Sequence, residues 1–166
     1  MTTSILIRSA NPTDADAIAG IYNHYITETV VTFEVDEVSV AEMARRVEEI
    51  QSASFPWLVA QIDQQVVGYA YAGKWHSRDA YRFASEITVY LAPGHAGLGI
   101  GSRLYEKLID LLATKGIHTL IGGIALPNDA SVALHEKFGF RKAAHYQEVG
   151  FKFDRWIDVG YWQRVL

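Results

Sequence analysis

Glu86 is a charge in an otherwise apolar stretch, Ile87-Thr88-Val89-Tyr90-Leu91, just ahead of a glycine-rich turn. A carboxylate placed there is costly unless it is paired or put to use. The turn runs Pro93-Gly94-His95-Ala96-Gly97-Leu98-Gly99-Ile100-Gly101-Ser102-Arg103, and a helical pattern begins directly behind it. Glycines permit positive φ and leave no Cβ between backbone and ligand. Loop N–H groups gathered at a helix N-terminus bind phosphate anions without a basic side chain. A P-loop would need Gly-Lys-Ser/Thr after the loop, and none is present. A dinucleotide fingerprint has a different glycine spacing and sits near the start of a βαβ unit. The pyrophosphate arm of coenzyme A stays open as a reading, beside a glycine turn with no ligand. The chain has no cysteine, which removes disulfides, thiolate catalysis and cysteine zinc sites. His24, His76, His95, His118, His135 and His145 show no metal-type spacing, so no metal is expected.

These residues need a scaffold. The chain has 166 residues, 49% hydrophobic and 20% charged, with net charge −4. That fits one soluble domain over 1–166 and argues against nucleic acid or an anionic membrane as partner. Met1-Thr2-Thr3-Ser4-Ile5 lacks the pattern of a signal peptide, and no apolar run is long enough to span a membrane, so a cytoplasmic protein is expected. Ile5 to Ala10 reads as a strand. Thr13 with Asp16 resembles a capping box opening a helix over about 13–27. Residues 28–38 read as a loop carrying Phe33. Ser39 with Glu42 suggests a second capping box and a helix to about Gln51. Residues 57–62 and 66–72 read as a hairpin, 73–84 as a loop and 85–91 as the central strand. A helix then runs to Lys115, closed by Gly116. Residues 119–125 read as a strand, Asn128 to Gly139 as a short capped helix, and 140–149 and 156–164 as two last strands. The order β-αα-βββ-α-β-α-ββ predicts a mixed three-layer α/β domain, its glycine turn at the carboxyl end of the central strand, where open α/β sheets bind ligands.

The element order and Gly97-x-Gly99-x-Gly101 resemble the GNAT superfamily of N-acetyltransferases, and more closely its phosphinothricin and methionine sulfoximine N-acetyltransferase branch. The resemblance is carried by Ile21-Tyr22-Asn23-His24-Tyr25-Ile26, Pro56-Trp57-Leu58-Val59-Ala60, Ala70-Tyr71-Ala72-Gly73-Lys74-Trp75, Ser85-Glu86-Ile87-Thr88-Val89-Tyr90, Leu126-Pro127-Asn128-Asp129, the run Ser131 to Phe140 and the run Trp156 to Arg164. It implies a mixed, mostly antiparallel sheet of about seven strands with a splayed central parallel pair and about four helices, holding acetyl-CoA as co-substrate and acetylating a small amine. Backbone groups of Val89, Tyr90 and Leu91 would then face the acetyl group and pantetheine. Gly97, Leu98, Gly99, Ile100, Gly101 and Ser102 would hold the pyrophosphate, with Asn128 and Lys137 contacting the cofactor farther along. The family carries Arg or Gln at the position of Ala96, so here the backbone cradle lacks that donor, with His95 and Arg103 beside it.

An ammonium must lose a proton before it attacks a thioester, and Glu86 is the candidate base. Partial burial would raise its pKa usefully. His135 matches a histidine of this branch, where it would assist proton transfer or orient a water or Glu86. The tyrosine that protonates the leaving thiolate in many acetyltransferases has Phe138 and Phe140 in its neighbourhood here, which leaves the general acid unassigned. Arg78 matches the branch's substrate arginine and Tyr81 a nearby tyrosine; an arginine fork suits an anionic group. Phe33, Tyr71, Lys74, His76 and Thr88 would line the remaining pocket, with Trp75 packed as core. Trp156, Tyr161 and Trp162 are candidates for a homodimer contact, since the branch is commonly dimeric. Other readings are the same fold acting on polyamines or protein N-termini, and a non-catalytic acyl-CoA-binding module. Arg78 and Lys74 argue for an anionic substrate, and Glu86 with His135 for catalysis.

Overall fold

The structure is a computed structural model and describes residues 4–166. Met1, Thr2 and Thr3, where the signal-peptide reading begins, lie outside the described residues. Seven strands form one sheet: β1 (Leu6–Ser9), β2 (Trp57–Ile62), β3 (Gln65–Lys74), β4 (Ala84–Leu91), β5 (Thr119–Ala125), β6 (Arg141–Lys152) and β7 (Arg155–Val165). Their spatial order is β1-β2-β3-β4-β5-β7-β6. Every pairing is antiparallel except β4 with β5. Four α-helices cover the sheet: α1 (Ala15–Glu28), α2 (Val40–Ser52), α3 (Ile100–Thr114) and α4 (Asp129–Lys137).

Strand side chains alternate between faces, and the sequence uses both. Leu58, Ala60, Ala70 and Ala72 join Leu104, Leu108 and Leu112 of α3 in one core. Trp57, Val59 and Tyr69 join Ile18, Tyr22 and Ile26 of α1 and Met43 and Val47 of α2 in the other. The three-layer expectation is therefore met. Among the described residues, no helix is long and apolar enough to cross a membrane.

Helix ends explain where the layers begin and stop. The first cap is not Thr13 with Asp16. Asn11 accepts from Thr13 N while Asp14 accepts from Asn11 N, opening a short 3₁₀ turn ahead of α1. Pro12 fits the first turn of such a helix, because its missing N–H is not needed there. Ser39 does accept from Glu42 N, but the Glu42 carboxylate turns outward to Arg45 and Arg46, so this is a single cap and not a reciprocal box. Gly116 and Gly139, with φ of 78° and 82°, end α3 and α4 in left-handed turns. Behind each, one N–H group reaches back to the last turn of the helix, Ile117 N to Leu112 O and Phe140 N to His135 O, both at 3.1 Å.

The last hairpin is longer than its sequence suggests. β6 and β7 run to Lys152 and back from Arg155, with a register shift between Tyr146 and Gly150 that absorbs the break in alternation. The decisive feature lies in the centre. β4 and β5 pair only at Ala84–Glu86 with Thr119–Ile121. From Ile87 onward β4 continues beside β3 alone, and the parallel pair opens into a gap.

Candidate active site

The gap joins three hollows. The first is a cleft of about 240 Å³ whose lining includes Thr32, Phe33, Glu86, Thr88, Gly123 and Tyr161. The second, about 50 Å³, lies between the parted strands among Thr88, Val89, Tyr90, Tyr105, Asn128 and His135. The third, about 320 Å³, is formed by Leu91, the glycine turn and α4 residues to Lys137. Thr88 and Tyr90 line both of the first two, and Leu91 continues into the third. β4 therefore forms one side of a continuous passage.

Glu86 is the last residue of β4 in register with β5. Its carboxylate is half-buried. Burial raises its pKa above the usual carboxylate range, and the nearby His76 charge opposes the rise. Burial pushes the hydroxyls of Tyr71, Tyr105 and Tyr161 upward, and the Glu86 charge adds to the rise in each. Gly123 keeps the carboxylate accessible: a Cβ there would stand 3.0 Å from the Tyr161 ring and 3.6 Å from Glu86 Oε1. A raised carboxylate facing an open cleft is equipped to take a proton at neutral pH.

His135 is buried, with 3% of its surface exposed. Its Nδ1 lies 2.7 Å from Ser131 O and its Nε2 3.0 Å from the Tyr105 hydroxyl. A carbonyl only accepts, so Nδ1 carries the proton. Burial lowers the imidazole pKa, which keeps the ring neutral. Nε2 then accepts, and Tyr105 donates to it. The ring packs on the backbone of Gly122, where any Cβ would overlap the imidazole. Histidine on α4 thus requires glycine on β5.

At the glycine turn, Gly97 and Gly99 have φ of 78° and 77°, and a Cβ at either would meet nothing within 4 Å. Glycine is required there by backbone conformation, not by crowding. Gly99 is the N-cap of α3 with no side-chain cap, so the first N–H groups of the helix remain available to an anion. Leu98 is exposed, while Ile100 and Gly101 are buried beneath the turn. Lys137 Nζ donates to Ser102 Oγ at 2.9 Å, tying α4 to the turn. Asn128 uses its side-chain oxygen to cap α4 at Ser131 N. The Leu91 carbonyl accepts from the Tyr25 hydroxyl at 2.6 Å, so that oxygen is already engaged.

The other expected substrate residues divide. Phe33 and Thr88 line the cleft. Tyr71, expected in the pocket, does not line the cleft; it stands opposite Thr88 in register and stacks on Trp57 at 4.1 Å. Lys74, the last residue of β3, and His76, Arg78 and Tyr81 on the β3–β4 connection are exposed and do not line the cleft. His76 and Tyr81 connect to it through an aromatic chain: Tyr161 meets Trp75 edge-on at 5.5 Å, Trp75 meets His76 at 4.6 Å, and His76 meets Tyr81 at 5.0 Å; Lys74 and Arg78 stand outside that chain. Trp75 is half-buried in that chain and is not core. Trp162 is buried at 3% and belongs to the core, whereas Trp156 is 63% exposed. Among the described residues, no group of acidic, histidine or cysteine side chains is arranged to hold a metal.

Some lining residues carry little mark in the sequence. Tyr105 falls on the apolar face of α3 and reads as core. Val31, Thr32 and Val159 look like ordinary β-branched positions. Gly122-Gly123 inside a strand does carry a signal, since interior strand glycines mark a close approach.

A family model described as "Acetyltransferase (GNAT) domain" matches residues 7–160. The chain is 40% identical to a phosphinothricin N-acetyltransferase of Streptomyces viridochromogenes, over 95% of this chain and 86% of that protein. It is 37% identical to an L-methionine sulfoximine/L-methionine sulfone acetyltransferase of Salmonella typhimurium, over 96% and 94%. The crystal structure of a GNAT superfamily phosphinothricin acetyltransferase from Sinorhizobium meliloti in complex with AcCoA superposes with TM-score 0.95 at 36% identity, covering 100% of this chain and 89% of the other.

Proposed function

The chain belongs to the GNAT family of N-acetyltransferases, and we propose that it acetylates the amino group of a small amino-acid-like substrate such as phosphinothricin or methionine sulfoximine. Acetyl-CoA is the co-substrate and supplies an activated acetyl group as a thioester. The glycine turn suits its pyrophosphate, because left-handed glycines and uncapped α3 N–H groups form an anion cradle. The largely apolar hollow from Leu91 to Leu134 suits its pantetheine arm. Val89 and Tyr90 border the gap toward the acetyl end.

The observation that carries this reading is the half-buried Glu86 carboxylate on the cleft floor, its pKa raised by burial. Glu86 takes a proton from the substrate ammonium. The freed amine attacks the thioester carbon, a C–N bond forms, and the C–S bond breaks. The nitrogen sheds its second proton as the amide forms, and the departing thiolate gains one. His135 acts through Tyr105, holding the hydroxyl that faces the gap. In this reading Arg78 and Tyr81, exposed on the β3–β4 connection, receive the anionic end of the substrate. The reading extends to one catalytic domain over 1–166, working in the cytoplasm as a homodimer that uses the face around Trp156.

Thiol release from acetyl-CoA is the test, with phosphinothricin, methionine sulfoximine, other amino acids, spermidine and short peptides offered in parallel. Turnover with the first two and little with spermidine or peptides is expected. Preference for spermidine or peptides refutes the substrate class. Tight acetyl-CoA binding with no turnover on any amine refutes the enzyme reading.

A further inference from the structure

The outer part of β6 inverts the usual order of a strand. Val149 and Phe151 are 57% and 56% exposed, as is Phe153 in the turn beyond at 55%, while Lys152 is 5% exposed and Gly150 is buried. Gly150 and Lys152 are two apart and point to one face. That face meets the segment leaving α1. Lys152 Nζ donates to Thr32 O at 2.8 Å. The Phe33 ring rests on Gly150, and a Cβ there would overlap it. No positive φ calls for glycine at 150, so the requirement is space alone.

The same segment is gripped from its other side. The Tyr22 hydroxyl is shared with Thr32 Oγ1 at 2.8 Å and with the Glu34 carboxylate. Arg46 holds Glu34 in a fork at 2.7 and 2.9 Å. Val31, Thr32 and Phe33 are a wall of the cleft opposite Glu86 and Tyr161. The wall is thus clamped between α1 and α2 on one side and the hairpin on the other. Burying a lysine is expensive unless its charge has a partner, and here its partner is a main-chain carbonyl of the wall.

We propose that Gly150 and Lys152 are positioning residues that fix the Val31–Phe33 wall and thereby set the length of amino-acid side chain the cleft accepts. This rests on the substrate reading above. Extra volume at 150 drives the Phe33 ring toward the cleft. Loss of the lysine frees the wall at Thr32. The first change disfavours long substrates more than short ones, and the second relaxes that discrimination.

The test compares kcat/KM for the longest and the shortest amino acid that the wild type acetylates, in Gly150→Ala and in Lys152→Met. The ratio does not depend on how much enzyme is folded, so a merely structural role leaves it unmoved. In Gly150→Ala a fall of the long-to-short ratio by about tenfold or more is expected, the scale of one methylene in an apolar pocket, and in Lys152→Met a rise. Acetyl-CoA affinity should stay as in the wild type. A ratio unchanged in both variants overturns the proposal. If Gly150→Ala does not fold, Lys152→Met decides it alone. A wild type that acetylates no amino acid overturns the substrate reading instead, and the two failures are told apart by the wild-type assay.

Discussion

Replacing Glu86 by Gln keeps shape and hydrogen bonding but removes the proton acceptor. Loss of a general base costs ~10²–10⁴-fold, which at 1.36 kcal/mol per decade is about 3–5 kcal/mol of barrier. Turnover should fall by that order while acetyl-CoA affinity, which the proposal gives to the glycine turn and α4, stays the same. The pH profile supplies a sharper reading. As the proposed base, Glu86 acts ionised, and burial lifts its pKa above 4.5. Below the raised pKa it is protonated and idle, so kcat/KM should climb as pH rises through it, and this limb should vanish in Glu86→Gln. The nearby His76 charge lowers the Glu86 pKa; in His76→Ala the limb should therefore move to higher pH. Stability has a definite sign as well. A carboxyl with its folded pKa raised contributes stability that is present below the unfolded pKa and lost as pH rises through the folded one. At neutral pH the wild type carries the cost of an ionised buried group, so the Gln variant should melt no lower than wild type. Thiol-release kinetics across pH, calorimetric titration with acetyl-CoA and thermal melts give all the readouts. Wild-type turnover across pH in Glu86→Gln refutes the assignment. A large drop in melting temperature would attribute lost activity to the fold.

Arg78→Lys keeps the charge but loses the planar fork; KM for amino acids should rise with a smaller effect on kcat, and uncharged amines should be used as before, which steady-state kinetics will check. Gly99→Val forces a left-handed position, φ 77°, on a branched residue. That costs about 1–2 kcal/mol of local conformation, so calorimetry should show weaker acetyl-CoA binding with the fold retained. Sedimentation at assay concentration should show a dimer, and Trp156→Ser should shift it toward monomer; a wild type that runs only as monomer rejects the assembly.

Features that depend on local pattern were legible in the sequence. The apolar β2–β3 hairpin, the glycine turn ahead of α3 and the capped α4 follow from residue type, spacing and turn chemistry, and the structure has each. Boundaries set by tertiary contact were less so. β3 runs to Lys74 because Ser85 and Glu86 of β4 continue to pair with it. β6 runs past Gly150 because a register shift lets two strands of different phase stay together. Site residues divide on the same line. Glu86 stood out because a charge in an apolar strand contradicts its surroundings. Tyr105 did not, because a tyrosine on the buried face of a helix is ordinary, and only the fold brings it to His135 from 30 residues away. Lys152 was hidden for the same reason: its partner, the Thr32 carbonyl, lies 120 residues back.

Counting protons around the gap separates two kinds of buried polar group. His135 holds its proton on Nδ1 against Ser131 O, and Tyr105 gives its own to Nε2. Both donors are spent. Burial lowers the imidazole pKa and raises the phenol's, so neither ring readily changes its charge. Losing either partner would strand a buried polar atom, which costs about 1–3 kcal/mol. This pair is therefore built to stay as it is, a fixed hydrogen-bonded unit beneath the parted strands. Glu86 is built the other way. It is half-buried, faces a cleft wide enough for a substrate, and has a raised pKa that brings its two protonation states closer in energy near neutral pH. The group that must exchange a proton is left free to do so, and the groups that must not are locked. That division supports the proposal that Glu86 is the base and that His135 holds Tyr105.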